Sequence, residues 1–436
     1  MKAIVQQRLA DSMALNLPTL VAREARLPKI PNKAFAVIGM RRAGKTYFLF
    51  QQMDRLLTQG VDRSRLVYFN FEDERLAGMT SADLHWIPDE YYVMFPQSRS
   101  QTVHFFFDEI QLVEGWEKFV RRQLDTENAG IYVSGSSAKL LSREIASAMR
   151  GRSVETVIYP YSFREYLNCR GTDAPTAPRH APKQMRSLYE KMLGDFLIAG
   201  GFPEAQHLSI SDRRLLLQGY VNTVLYRDIV ERFNLTNLNV LKALIRHMLQ
   251  NPATHFTVNK FYHQLKSQGI KVAKTTLHEY LDHLRDVFLI HTVSIKTDSE
   301  RRRMVNPVKV YAADTGLADA FAMSRNPDIG RLLENCIYMD LCRRGCQVSY
   351  IVTSSGFEVD FLAEHLDGRQ QAIQVAADIS NAETLERETR ALVEAGRTVK
   401  GAELLLLNLS EESSITRDGF TIEVLPAWKW LLDYKA

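Results

Sequence analysis

Cysteine is scarce in this sequence, and no cysteine pair has the spacing of a metal site. The 436 residues include four cysteines, three of them between positions 336 and 346, without a C-x-x-C pair or an accompanying histidine. A structural zinc ion needs four such ligands, so the sequence argues against zinc. It predicts free thiols in a reducing compartment.

Long apolar runs and a large charge excess are also missing. No segment approaches the roughly 20 uninterrupted apolar residues of a membrane span, and the N-terminal residues lack the apolar core of a signal peptide. Lys and Arg total 55 against 51 Asp and Glu, a net charge of +4, which is too mild to indicate nucleic-acid binding by itself. We expect no membrane partner and a cytoplasmic location.

The sequence does have the pattern of an α/β protein with several domains. Up to about residue 160, apolar strand patterns alternate with helical ones, which predicts a buried parallel sheet. A helix, turn, helix, strand order then suits a winged helix. The predicted domains are an α/β phosphate-binding domain (1–167), a linker with helices (168–240), a winged-helix-like domain (241–305) and a second α/β domain (306–436).

The segment "GMRRAGKT" carries the clearest chemistry. It fits the pattern G-x-x-x-x-G-K-[ST] and lies between an apolar strand pattern and a helical one. Gly39 and Gly44 allow the backbone to curl so that its N–H groups point at phosphate oxygens. Lys45 is expected to reach the β- and γ-phosphates, and the Thr46 hydroxyl to bind Mg²⁺. Arg41 and Arg42 lie inside the loop, where they contact phosphate or line its mouth.

Two further strand ends supply candidate catalytic groups. The strand "HFFF" ends at Asp108, which is expected to bind Mg²⁺, and Glu109 follows it as a candidate base for the attacking water. The next strand ends in "SGSS", where a hydroxyl contacts either the γ-phosphate or the start of a helix. Arg150 and Arg152 are candidates for neutralising transition-state charge, in cis or across a subunit interface, or are plain surface residues.

These motifs resemble those of a known family. "GMRRAGKT", "FFFDEIQ", "VSGSSAKLLSREIASAMRGR" and "YPYSFREYL" are similar to the AAA-like bacterial and archaeal ATPases related to the STAND clade. "GGFPEA", "YRDIVER", "TTLHEYLDHLRDVFLI", "VYAADTGL" and "LLENCIYMDLCRRG" resemble the C-terminal domain of unknown function that accompanies this ATPase. The resemblance implies an ASCE-type P-loop core, a winged-helix segment and a terminal domain shaped like the PD-(D/E)XK nucleases, which are restriction-endonuclease-like.

The resemblance also implies roles for individual residues. Asp108 and Thr46 would hold Mg²⁺, Glu109 would be the catalytic base, Ser136 a sensor and Arg152 the charge-neutralising arginine. A trans-acting arginine would require a homo-oligomer. ATP is the expected nucleotide, and the residues expected to surround it are Gly39, Met40, Arg41, Arg42, Ala43, Gly44, Lys45, Thr46 and Tyr47.

The nuclease-like part departs from the pattern that nuclease chemistry requires. Glu334 and Asp360 match two of the acidic positions, but the next strand has Gln374 where an acid belongs and Ala376 where lysine belongs. Glutamine is a poor anionic ligand and alanine cannot assist a water molecule. We therefore predict that this domain does not cleave nucleic acid.

Three functions remain open at this stage. The first is an ATPase that binds or remodels duplex or branched DNA, with phosphate contacts from a recognition helix and a basic loop. The second is an ATP-dependent signalling switch that acts on a protein partner, and the third is an active metal-dependent nuclease. The residues expected at the DNA are Lys271, Lys274, Thr275, Arg301, Arg302 and Arg303.

Overall fold

A computed structural model describes residues 1–136, 149, 151–175, 177–178, 181–233, 235, 237–324 and 326–433 of the chain. The chain divides into two units, Met1–Tyr159 and Pro160–Ala436. Arg150, which the sequence suggests as a charge-neutralising arginine, lies outside the described residues. In the described part of the chain, no helix combines the length and the apolar character that a bilayer crossing requires.

The first unit is built on a parallel five-stranded sheet. Its strands, in the order β2-β3-β4-β1-β5, are β1 (Ala34–Ile38), β2 (Leu66–Asn70), β3 (Val103–Asp108), β4 (Ala129–Gly135) and β5 (Ser153–Val157). Its helices are Lys2–Ala14, Lys45–Thr58, Trp86–Met94 and Trp116–Thr126, with short 3₁₀ turns at Arg63–Arg65, Glu74–Leu76, Pro96–Ser100 and Ile110–Leu112.

Apolar side chains on both faces explain why these strands form the interior of the unit. Phe106 of β3 stacks on Tyr132 of β4 with ring centroids 4.4 Å apart, and both pack in a core with Phe48 and Val37. Buried strands of this kind need covering on both faces, which is typical of a parallel sheet. The carboxyl ends of β1, β3 and β4 therefore meet at one edge, where ligands bind in such folds.

The second unit contains most of the helices and two further sheets. Its helical segments are Phe163–Cys169, Lys183–Ala199, Pro203–Ala205, Ile210–Thr223, Val224–Val230 (π-helical), Glu231–Phe233, Leu238–Gln250, Val258–Ser267, Lys274–Asp286, Glu300–Val305, Thr315–Phe321, Ile329–Arg343, Ala382–Thr398 and Ala427–Asp433. Two segments that the sequence singles out meet here: Asp314 of "VYAADTGL" accepts the backbone N–H of Gly201 in "GGFPEA" at 2.6 Å. That buried hydrogen bond ties segments that lie far apart in the sequence.

A small antiparallel sheet of order β6-β8-β7 lies within this unit. Its strands are β6 (Thr254–Phe256), β7 (Ile290–Val293) and β8 (Val308–Ala312). The helices Val258–Ser267 and Lys274–Asp286 separate β6 from β7, and a loop with the short helix Glu300–Val305 joins β7 to β8. The predicted domain boundary between residues 305 and 306 falls within this sheet, because β8 pairs with both of its other strands.

The larger sheet of the second unit is mixed. Its order is β13-β14-β12-β11-β10-β9, and its strands are β9 (Gln347–Val352), β10 (Glu358–Glu364), β11 (Gln370–Val375), β12 (Glu403–Asn408), β13 (Ser413–Arg417) and β14 (Phe420–Pro426). The helix Ala382–Thr398 buries Leu392 against Val359 and Leu406 of this sheet. The predicted fold class is confirmed: the protein is α/β, with an N-terminal P-loop-type parallel sheet followed by a C-terminal α/β part.

Candidate nucleotide-binding site

The phosphate loop connects the carboxyl end of β1 to the helix Lys45–Thr58. Gly44 precedes that helix with φ 102°, a left-handed conformation, and Arg42 also has a positive φ of 66°. These values make the backbone curl at the point where the helix begins. The loop therefore presents backbone N–H groups, together with the positive end of the helix, toward one place at the edge of the sheet.

Lys45 brings its charge into the loop itself. The side chain is only 5% exposed, and its ammonium donates to the carbonyl oxygens of Gly39 at 3.1 Å and Met40 at 3.2 Å. The same nitrogen lies 3.6 Å from Oε1 of Glu109. A buried ammonium at this position is suited to the β- and γ-phosphates of a nucleotide.

Asp108 is the centre of a network of hydroxyl groups. Its Oδ2 accepts hydrogen bonds from Thr46 Oγ1 and from Tyr68 OH, each at 2.7 Å, and its Oδ1 accepts one from Ser134 Oγ. Burial and the neighbouring Glu109 carboxylate raise the pKa of Asp108, while the three hydroxyl donors act to lower it. Three neutral donors orient the carboxylate without cancelling its charge.

Thr46 and Asp108 fit a magnesium ion. Mg²⁺ prefers oxygen ligands and is commonly held by one or two protein side chains together with phosphate oxygens and water. The Thr46 hydroxyl and the Asp108 carboxylate are oxygen donors that lie 2.7 Å apart at the mouth of the loop. These two residues would hold the ion beside the phosphates.

The backbone conformation of Glu109 directs its side chain toward Lys45 and the phosphate loop. It has φ 55° and ψ 40°, the left-handed region, directly after β3. Its N–H donates to Ser134 Oγ at 2.9 Å, and its Oε2 accepts a hydrogen bond from the Gln111 side chain. The carboxylate is therefore held in one orientation, with one oxygen near Lys45. A non-glycine residue in this conformation is uncommon and is found mostly where function or local structure requires it.

The sequence did not identify Tyr68 or Arg23 as part of this site, and it named Ser134 only as the first residue of "SGSS", not as a partner of Asp108. Tyr68 and Ser134 bind Asp108, and Arg23 supports the loop from behind: one of its nitrogens donates to the carbonyl oxygen of Ala43 at 2.9 Å and another donates to that of Tyr159. Strand ends in a parallel sheet were a usable signal for Ser134, which precedes Ser136 by two residues. Arg23 lies in an extended stretch without any periodic pattern, so no signal pointed to it.

The remaining predicted residues are distributed around the loop. Ser136 is buried just beyond β4, and Tyr47 is half exposed on the first turn of the loop helix. Arg41 pairs with Glu72 at 2.9 Å, at the end of β2. These residues lie at the carboxyl edge of the sheet.

Arg152 is not brought to this site within the chain. It precedes β5, where Ser153 pairs with Ala34 at the amino end of β1, and it forms an ion pair with Asp125. The phosphate loop begins after Ile38, four residues along β1 and about 13 Å away at the strand rise of roughly 3.3 Å per residue. The predicted cis role is therefore wrong in geometry, because Arg152 lies at the opposite edge of the sheet.

The predicted nuclease-like residues meet in the second unit around a lysine that the sequence reasoning did not consider. Lys309 Nζ lies 2.9 Å from Glu334 Oε1 and 2.8 Å from Asp360 Oδ1. Burial alone would lower the pKa of Lys309, but the surrounding carboxylates raise it overall, so the lysine is charged. Gln374 Oε1 accepts the N–H of Asp360 at 3.2 Å, and Ala376 packs against the core of the larger sheet.

The residues predicted to contact DNA are exposed on the part of the second unit that contains the small sheet. Lys271 precedes the helix Lys274–Asp286, and Lys274 and Thr275 begin it. Arg301, Arg302 and Arg303 were expected in a basic loop but lie in the short helix Glu300–Val305 between β7 and β8. Arg303 also pairs with Glu300 at 3.3 Å.

Comparison with known proteins matches two segments of the chain to described domains. Residues 31–167 match the AAA domain, and residues 190–328 match a domain of unknown function, DUF8612. The uncharacterized protein MJ1544 of Methanocaldococcus jannaschii is 32% identical over 447 residues, which cover 99% of this chain and 96% of that protein. An uncharacterized protein of Haemophilus influenzae is 28% identical over 79% of this chain and 82% of its own length.

One solved structure that the chain matches is the Walker-type ATPase PABY2304 of Pyrococcus abyssi. Its TM-score is 0.42 at 13% identity, with 74% of this chain and 95% of that chain covered. The segment of this chain that matches the AAA domain contains the phosphate loop, Asp108 and Glu109.

Proposed function

This chain belongs to the same protein family as MJ1544 and carries an AAA-like domain, and from this premise we propose that it binds ATP with Mg²⁺ and hydrolyses it. The observation that carries the proposal is the division of labour between two adjacent carboxylates. Asp108 is held by the three hydroxyl groups of Thr46, Tyr68 and Ser134, whereas Glu109 is oriented separately, 3.6 Å from Lys45.

Each residue then has one task. Lys45 and the loop N–H groups would bind the phosphates, and Thr46 with Asp108 would hold the ion, which would supply charge neutralisation to the phosphates. Glu109 accepts a proton from, or orients, the attacking water. Arg23 keeps Ala43 in place, so that the loop keeps its shape while the nucleotide binds.

Two substitutions test the assignment. Lys45→Ala removes the ammonium and should abolish ATP binding or lower turnover about 10²- to 10³-fold. Glu109→Gln keeps the size of the side chain but removes the base, so it should bind ATP and hydrolyse it about 10²- to 10⁴-fold more slowly. Binding is measured with a fluorescent ATP analogue and turnover by phosphate release.

The exposed Glu114, five residues beyond Glu109, offers the matched control. Glu114→Gln makes the same chemical change outside the site and should leave turnover unchanged. Normal turnover of Glu109→Gln would remove Glu109 from the mechanism.

DNA is the partner that we propose for the second unit. The helices and strands from Leu238 to Ala312 follow the order of a winged helix, which supports this proposal. Lys271 and Lys274 give the helix Lys274–Asp286 a basic beginning, but its exposed face continues with Glu279 and Asp282. Only the first turn of this helix therefore suits phosphate, and the arginines between β7 and β8 would supply further contacts.

Salt dependence distinguishes this proposal from the alternative functions. DNA should stimulate ATP turnover, and replacing Arg301, Arg302 and Arg303 by alanine should flatten the slope of log affinity against log salt by up to about 3. The matched control replaces three exposed arginines of the helix Ala382–Thr398 by alanine and should leave the slope unchanged: Arg387, Arg390 and Arg397.

If turnover and binding do not respond to single-stranded, duplex or junction DNA, the DNA proposal fails and a signalling switch acting on a protein partner takes its place. Metal-dependent DNA cleavage that is lost on Asp360→Ala and kept on Lys45→Ala would instead support a nuclease. Native mass measured with and without ATP tests for the homo-oligomer that a trans-acting Arg152 requires.

A further inference from the structure

Three carboxylates of the second unit converge on one ammonium group. Lys309 of β8 places Nζ 2.9 Å from Glu334 Oε1, 2.9 Å from Glu358 Oε1 and 2.8 Å from Asp360 Oδ1. The lysine side chain is 4% exposed. The ammonium donates hydrogen bonds to Glu334 and Asp360, and Glu358 completes the cluster as an ion-pair partner.

The carboxylates are held in place by further partners. Tyr311 OH donates to Glu334 Oε1 at 2.8 Å, and the N–H of Val375 donates to Asp360 Oδ2 at 3.0 Å. His255 Nε2 lies 3.2 Å from Glu358 Oε2. The geometry of the cluster is therefore fixed from several elements and does not depend on Lys309 alone.

We propose that Lys309 is the resident cation of this cluster and takes the position in which a nuclease of the type that the sequence resembles would need a divalent metal. A metal ion would need the same carboxylate oxygens at about 2.0 to 2.6 Å, and it cannot share them with an ammonium that already contacts all three. In their present positions around Nζ the three carboxylates are not arranged to hold a metal ion, and neither is any other group of three or more His, Cys, Asp and Glu side chains among the described residues.

The residues nearby agree with this assignment. Gln374, in the position expected for an acid, uses its Oε1 to accept the Asp360 N–H. Ala376, directly after β11, stands where a lysine would be needed to activate water. Lys309 comes instead from the small sheet, whereas Glu358 and Asp360 belong to β10 of the larger sheet. The ion pairs of the cluster, called the clamp below, therefore join the two sheets of the second unit.

Removing the ammonium should convert the clamp into a metal site. Without the ammonium, the three carboxylates lose the charge between them and would have to draw closer around one ion to form the oxygen-donor set that binds Mg²⁺, Mn²⁺ or Ca²⁺. The chain offers a matched control in Lys429, which is equally buried but pairs with the single carboxylate of Glu412 at 2.6 Å. Lys429→Ala leaves only one carboxylate behind and should bind no metal.

To test this, Mn²⁺ is titrated into the full-length protein, and its binding is measured by calorimetry and by electron paramagnetic resonance. All variants carry Asp108→Asn so that the nucleotide site does not contribute. We expect Lys309→Ala to bind one Mn²⁺ with a dissociation constant of about 1 mM or below, the range of weak oxygen-ligand sites. Affinity for Mn²⁺ should be at least about tenfold lower in three comparison proteins. These are the protein with Lys309 intact, the Lys429→Ala variant, and the double variant Lys309→Ala plus Asp360→Asn.

Two results would overturn the proposal. One is Mn²⁺ binding by the protein with Lys309 intact that disappears on Asp360→Asn, and the other is no binding by folded Lys309→Ala. If Lys309→Ala does not fold in buffer alone, Mn²⁺ should restore its cooperative thermal unfolding, and a failure to restore it also counts against the proposal.

Discussion

Gly39, the first residue of the phosphate loop, gives the most direct test of the loop geometry. Its φ is +145°, and a Cβ atom built on it would lie 2.2 Å from the carbonyl oxygen of Ile158. Real Cβ contacts essentially never fall below 3.0 Å, so Gly39→Ala requires a shift of at least 0.8 Å, the difference between 3.0 and 2.2 Å. The obstacle is backbone, and Ile158 N–H is itself bonded to Ile38 at 2.7 Å.

A displacement of this size has a calculable effect. Backbone strain at a positive φ costs about 1 to 3 kcal/mol, and a misplacement of about 1 Å lowers a rate by roughly 10²-fold. We therefore expect Gly39→Ala to lose about 10²-fold in ATP turnover and 1 to 3 kcal/mol (roughly) in the free energy of unfolding. Phosphate release and denaturant unfolding measure the two quantities.

Gly60 separates the clash from the strain. It also has a positive φ, +86°, but a Cβ atom there would meet nothing within 4 Å. Gly60→Ala should therefore lose stability through strain while keeping its turnover. Equal turnover of Gly39→Ala and Gly60→Ala would refute the reasoning, because the contact with Ile158 would then have no consequence for the loop.

Two further predictions concern stability in the second unit. Lys309→Ala leaves buried carboxylates without their cation and should lower the free energy of unfolding by about 3 to 5 kcal/mol. The loss should be smaller for Lys429→Ala, because its partner Glu412 is 40% exposed. Equal losses for the two variants in denaturant unfolding would contradict this prediction. Burial raises the pKa of Asp314 to about 6 against the opposing N–H bonds of Gly201 and Gly316. Because this pKa is raised in the folded state, the stabilisation is complete below the unfolded value of 3.8 and is lost as the pH rises through about 6. Relative to Asp314→Ala, the wild type should lose about 1 to 1.5 kcal/mol between roughly pH 5 and pH 8, and a constant difference would contradict the assignment.

The sequence predicted the parts of the nucleotide site that depend on local spacing. The loop from Gly39 to Thr46 is one continuous motif, and Asp108 and Glu109 end an apolar strand. Because the carboxyl ends of parallel strands meet at one edge, those two segments had to lie close together. The bond from Thr46 to Asp108, at 2.7 Å, is the result.

Contacts without a spacing rule were not predictable. Lys309 is 25 residues from Glu334 and 51 from Asp360, and it comes from a different sheet than Asp360. The prediction for Arg152 was wrong for a related reason. Arg152 is close in sequence to the strand end at Ser134–Ser136, but it precedes β5 at the amino edge of the sheet. Sequence proximity says nothing about which edge of a sheet a residue occupies.

The two carboxylate centres of the chain differ in the charge of their partners, and this difference determines what each can bind. Asp108 receives hydrogen bonds from three hydroxyl groups, which orient it but leave its negative charge available to a divalent cation. Asp360 and the neighbouring carboxylates instead contact the ammonium of Lys309, so a positive charge from the chain itself already occupies the place of a divalent cation. Charge, more than the number of acidic residues, therefore separates a centre suited to Mg²⁺ and ATP from one suited to holding two sheets together.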